Sequence, residues 1–154
     1  MLNALLNKGG AGVSISRQET AERLDPLLRQ LIGLRRYYEE LIRRTSDPEI
    51  ASKLEDLLRY ARTDVAKLSE TIHSAGAKAY TGVDLRDKPI DFDDKEDDLS
   101  FVRNLEQKFL DAILAESKIK HHIRTFAILK NVENNSRNRL SYLAEITKKA
   151  VPQR

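Results

Sequence analysis

Residues 77–97 read AKAYTGVDLRDKPIDFDDKED, a stretch with no helical spacing of apolar residues, a Tyr-Thr-Gly, a Pro and an acidic run that continues through Asp98 as DFDDKEDD. Twenty-one residues without helix or strand are long for a compact domain, so they need a geometric reason. Extended at about 3.3 Å per residue, they outreach a helix of about 42 Å. The chain can therefore leave one end of a helical bundle and resume at the other.

Working outward, both flanks are amphipathic. Upstream, Ser16 and Glu19 form a capping box that starts a helix at Arg17. Asp25-Pro26 is a second start signal, which leaves two options: one helix kinked at Pro26, or a short helix before the main one. Leu24, Leu27, Leu28, Leu31, Leu34, Tyr38, Leu41 and Ile42 recur at three- and four-residue steps up to a stop near Thr45. Ser46-Asp47-Pro48-Glu49 restarts helix at once. Its stripe, Ile50, Leu54, Leu57, Leu58, Ala61, Val65, Leu68 and Ile72, runs to a glycine stop at Gly76.

Downstream, a third helix is expected from Asp98 to Ala115, with Phe101, Val102, Leu105, Phe109, Ala112 and Ile113 inward. A fourth is expected from Lys118 to Lys149, with Ile119, Ile123, Phe126, Ala127, Leu140, Leu143 and Ile146 inward. The pattern predicts an all-α four-helix bundle, two helical hairpins joined by a long crossover. Residues 1–15, with KGGAG, are expected to be a flexible N-terminal segment, residues 16–150 the bundle, and residues 77–97 its crossover linker.

The chain's 154 residues make one domain with room for a sizeable core. The net charge of +3 is small but unevenly spread: residues 84–98 hold eight acids against three bases, residues 117–154 nine bases against two acids. Oppositely charged segments of one domain are expected to face each other or solvent, which makes nucleic acid an unfavoured partner. No apolar run approaches the roughly 20 residues that span a bilayer, so no membrane association is expected. MLNALLNKGG has neither a basic leader nor a long apolar core, so a cytoplasmic location is expected. With no Cys, any metal or catalytic chemistry must use carboxylates, His, Tyr or hydroxyls.

Residues 47–82, DPEIASKLEDLLRYARTDVAKLSETIHSAGAKAYTG, resemble the second helix of the ferritin-like superfamily, which includes the rubrerythrins. The resemblance is one of pattern and extends over residues 17–149. Members that bind a metal pair take Glu from each of two helices and Glu-x-x-His from each of the other two. Carried over residue by residue, the pattern is incomplete. The middle of the first helix offers Leu34, Arg35 and Tyr38; the second offers Ala61-Arg62-Thr63-Asp64; the third supplies Glu106; the fourth has Glu133-Asn134-Asn135-Ser136, a Glu without its His. Asp64, Glu106, Glu133 and Arg137 then make a vestigial central site, with Arg137 the cation that takes the place of the lost metal and pairs with Glu106 or Glu133. The implied role is structural or interaction-based, with a protein partner or a homo-oligomer formed through Tyr37, Tyr38 and the Arg-rich face of the first helix.

Glu70-Thr71-Ile72-His73 keeps the Glu-x-x-His spacing, but near a helix end. With a reversal at residues 45–48, Glu70 falls opposite Glu22, and His73 opposite Glu19 or Thr20. The crossover brings Glu116, His121 and His122 to the same end. Glu22, Glu70, His73, Glu116, His121 and His122 are thus candidate ligands for Fe, Mn or Zn, as in a metal-dependent oxidase or storage protein. The plainer alternative is a set of solvated helix ends.

His121-His122-Ile123-Arg124-Thr125 is similar to the H-box of sensor histidine kinases, with Phe126 where Pro usually follows, which implies a third role in phosphotransfer. The run from Asp91 to Glu96 resembles an acidic calcium loop, yet Glu96 stands where that loop needs Gly. No phosphate-binding glycine loop, nucleophile elbow or triad spacing assigns a reaction.

Overall fold

Four helices account for most of the computed structural model, which describes residues 13–92 and 95–150. The expected flexible segment therefore lies outside the described residues up to position 12, and so do two acids of the calcium-like run, Asp93 and Asp94. Among the described residues there is no strand, and no helix is long and apolar enough to cross a membrane.

Helix α1 spans Arg17–Arg44, and the Ser16 hydroxyl accepts from the Glu19 N–H at 3.0 Å, as the capping box requires. Of the two options at Pro26, the continuous helix is the one found. Leu24, Leu27, Leu28 and Leu31 are buried on both sides of the proline, and this packing offsets the backbone hydrogen bond that Pro cannot donate. Helix α2 spans Pro48–Ser74; the Asp47 carboxylate caps it by accepting from the Glu49 and Ile50 N–H groups. Gly76 ends it at φ 90°, and the Ala77 N–H returns to the Ile72 carbonyl at 3.2 Å. Helix α3 spans Asp98–Glu116 and α4 spans Ile123–Ala150.

Helix α1 packs against α2 and α3, and α4 packs against α3 and α2. One end of the assembly gathers the start of α1, the end of α2 and the turn between α3 and α4: Arg17 donates to the Ser74 carbonyl at 2.6 Å, the Ile15 N–H donates to Lys120 O at 3.0 Å, and Arg23 lies 3.6 Å from Glu116. At the other end Arg44, the last residue of α1, bonds Asp98, the first of α3, at 2.8 Å.

Residues 80–92 lie along α1 in register. The Arg29 guanidinium sits 4.2 Å above the Tyr80 ring, Arg36 donates to Lys88 O, Tyr37 donates to Asp91 O, and Arg44 covers Phe92. A short 3-10 turn, Val83–Leu85, interrupts this otherwise irregular stretch. Gly82 precedes it at φ 79°, and a Cβ there would meet Ile32 Cγ2 at 2.8 Å. Both the left-handed backbone and the contact oppose a side chain. Gly82→Ala is expected to destabilise the fold by about 1–2 kcal/mol in a denaturant titration.

Two expectations need correction. Helix α4 starts at Ile123 rather than Lys118, because residues 117–122 reverse the chain after α3, and His121 ties that turn back to Glu116 at 2.6 Å. Its inward face also differs: Ile123 is 77% exposed, while Phe126 and Ala127 are exposed too. The central buried stripe is Thr125, Leu129, Val132, Ser136, Arg139, Leu143 and Ile146, a regular alternation of four- and three-residue steps, with Glu133 and Thr147 buried beside it. Three of the stripe residues are polar, so the apolar residues alone set the wrong phase for the first half of the helix.

Candidate functional site

Each helix sends a polar side chain into the middle of the core. Tyr38 of α1, Asp64 of α2, Glu106 of α3, and Ser136 with Arg139 of α4 are all buried, and Tyr38, Glu106, Ser136 and Arg139 are wholly enclosed. Glu106 is the hub. Its Oε1 accepts from the Tyr38 hydroxyl at 2.6 Å and from Arg139 Nε at 2.7 Å; its Oε2 accepts from the Ser136 hydroxyl at 2.6 Å and from Arg139 Nη2 at 3.0 Å. The Arg–Glu pair is bidentate, the geometry in which a guanidinium holds a carboxylate most firmly. Buried charges persist only when paired and hydrogen-bonded in this way.

The second carboxylate is held differently. Asp64 accepts both of its hydrogen bonds from Asn135 Nδ2, at 3.0 and 3.1 Å, and lies 3.8 Å from Arg139 Nη1. Arg139 Nη1 is buried and makes no hydrogen bond. Burial pushes the Asp64 carboxyl up to about 6, against the opposing pull of Asn135 and Arg139. Burial also raises the Tyr38 hydroxyl well above its ordinary value, with Glu106 adding to the effect. Burial works against the Arg139 charge, but Glu106 outweighs it and the guanidinium titrates higher than usual. The centre thus holds one fixed cation, a bidentate carboxylate partner and a second carboxyl poised to change charge.

Removing only the Tyr38 hydroxyl tests the hub without opening a cavity. Tyr38→Phe should cost about 1.5–3 kcal/mol, the range for a hydrogen bond to a charged group, and thermal unfolding reads it.

The vestigial site read from the sequence is only partly assembled. Asp64 and Glu106 meet around one cation, but that cation is Arg139 and not Arg137. Arg137 is exposed and pairs with Glu133 at 3.0 Å, and Lys130 joins the same carboxylate at 3.3 Å. Residues 133 and 137 lie one turn apart, Glu133 buried beside the inward stripe and Arg137 outside it, whereas 136 and 139 fall on the stripe itself. Arg139 was legible in principle, since it continues the 4-3 spacing of Val132, Ser136 and Leu143, but a charged residue does not register in a count of apolar positions.

The terminal candidates separate as well. His121 and Glu116 meet at 2.6 Å, with the imidazole side chain fully enclosed, and Arg23 links Glu116 to Glu19. Glu22 is exposed and accepts from Gln18; His73 is exposed; the His122 ring accepts from the Arg124 N–H. Glu70 and His122 line a shared groove at the α2–α4 end without a hydrogen bond between them. Among the described residues, no group of three His, Asp or Glu side chains converges as a metal site would require.

The H-box reading loses its geometry, because His121 is buried and precedes α4 instead of facing solvent from a helix. The proposed oligomer face is also displaced. Tyr38 is core, and Tyr37 is packed between Phe92 and Phe101 with ring centroids 5.2 and 5.3 Å away. The chain matches no protein-family model, and no curated protein matches it.

Proposed function

We propose that this chain is a cytoplasmic, ferritin-like bundle of two helical hairpins joined by a long crossover, and that its role is structural or protein-interacting. The crossover topology is supported by the contacts of Tyr80, Lys88 and Asp91, in that order along α1, and by the Arg44–Asp98 pair. A single observation carries the functional reading: the Arg139 guanidinium lies where four helices each direct a polar group, and it takes both oxygens of Glu106. In members of this superfamily that use metal, the mid-bundle carboxylates neutralise metal cations; here a protein cation does so.

Metal content decides between this reading and an oxidase or storage protein. Protein purified without added metal and then offered iron, manganese or zinc is expected to retain none stoichiometrically by elemental analysis. Stoichiometric metal that disappears in Glu106→Ala would overturn the proposal in favour of the central site. Metal lost only in His121→Ala would overturn it in favour of the terminal one.

A further inference from the structure

Asp64 is surrounded by donors. Asn135 Nδ2 gives it both of its hydrogen bonds, at 3.0 Å to Oδ1 and 3.1 Å to Oδ2, and Arg139 Nη1, which makes no hydrogen bond of its own, stands 3.8 Å from Oδ2. An ionised carboxylate only accepts, so this arrangement suits the charged form. A protonated carboxyl carries an O–H that neither an amide N–H2 nor a guanidinium can receive. Inside the core that O–H needs an acceptor, because a buried donor left unmet bears its full desolvation cost.

The groups that face Asp64 leave one side chain to supply it. Glu106 of α3 is full, since its two oxygens already accept two bonds each, from Tyr38 of α1 and from Ser136 and Arg139 of α4. Arg139 has donors only. Asn135 differs: its amide has an acceptor at the other end, and that carbonyl oxygen makes no hydrogen bond among the described residues. A half-turn about its Cβ–Cγ bond exchanges Nδ2 for Oδ1 against Asp64 and breaks nothing else. Asn135 is also where the network meets the surface. Tyr38, Glu106, Ser136 and Arg139 are wholly enclosed, whereas Asn135 is half-buried and lines an open groove between α2 and α4 with Leu57, Tyr60 and Asn138.

We infer that Asp64 and Asn135 form a proton-driven switch: Asn135 holds the ionised carboxylate by its N–H2 group, and on protonation its amide turns over and holds the new O–H by its carbonyl. The end of the amide left to the groove changes with it, from an acceptor to a pair of donors. A proton bound in the core is thereby displayed on the surface between α2 and α4. Burial, opposed by Asn135 and Arg139 and reinforced by Glu106, pushes the Asp64 carboxyl up to about 6, so both states are populated around that pH.

The test is an NMR titration of the whole labelled chain from about pH 7.5 to about pH 4.5. The Asp64 carboxyl carbon and the Asn135 N–H2 signals are expected to move with one midpoint. Exchange of the bonded Asn135 N–H2 proton with water is read against that of Asn138, an exposed residue of the same groove. It should be about tenfold slower above the midpoint and equal below it. In Asp64→Asn, which keeps the shape and lacks the titrating proton, the Asn135 response should vanish. An Asp64 carbon that titrates while Asn135 stays protected would overturn the inference, because the proton is then taken up without the turn. So would an Asn135 response that survives in Asp64→Asn, or an Asp64 carbon that titrates at the ordinary carboxyl value. The parent chain alone decides the first and last of these, so a variant that fails to fold leaves the inference open to refutation.

Discussion

Arg139→Met is expected to lower the unfolding free energy by about 3–5 kcal/mol, the cost of leaving a buried carboxylate without its cation. In a chain of 154 residues that corresponds to a fall of roughly 10 °C in Tm. Methionine fills most of the arginine side chain's volume, so the loss reports mainly charge and hydrogen bonding. Glu106 would keep the Tyr38 and Ser136 hydroxyls but lose both Arg139 bonds. The double variant Arg139→Met/Glu106→Gln removes the stranded charge while its carbonyl still accepts from Tyr38 or Ser136. It should recover roughly half of the loss or more, because replacing both partners of a buried ion pair costs less than removing one. Urea midpoints at constant m measure both variants. A loss below about 1 kcal/mol in the single variant would mean that solvent already reaches Glu106.

The second large effect is a pH dependence centred on Asp64. Its carboxyl titrates near 6 in the fold against an ordinary value of 3.8, so the folded chain binds this proton more tightly than the unfolded chain. The stability it contributes is fully present below about 3.8 and is lost as pH rises through about 6. The gap between 3.8 and about 6 corresponds to about 3 kcal/mol in full, of which about 2 kcal/mol falls between about pH 4.5 and about pH 7.5. Glu106 and Arg139 face Asp64 from α3 and α4, and Asn135 bonds it from α4; their effects are contained in the same shift. Asp64→Asn is neutral at every pH and should remove the slope. The unfolding free energy of the parent minus that of the variant is expected to fall by about 2 kcal/mol across that range. A difference that stays flat would show that the carboxyl titrates normally and is solvated.

Local chemistry explains why the helices were readable from the chain alone. Ser16 with Glu19, Asp47 before Pro48, and Gly76 after Ser74 act within three or four residues of their own positions, so their neighbours in sequence are their neighbours in space. The length and polarity of residues 77–97 likewise required a long irregular connection before any contact was known. What lay beyond the sequence was the side on which each polar residue would settle. Arg139 is tolerated in the core because Glu106, thirty-three positions away on another helix, meets its Nε and Nη2 there, while Arg137 finds Glu133 on its own helix and stays outside. By the same logic His121 is enclosed by its bond to Glu116 and His73 is left in solvent. Capping and periodicity are properties of a segment; the burial of a charge is a property of its partner, and only the packed helices supply that partner.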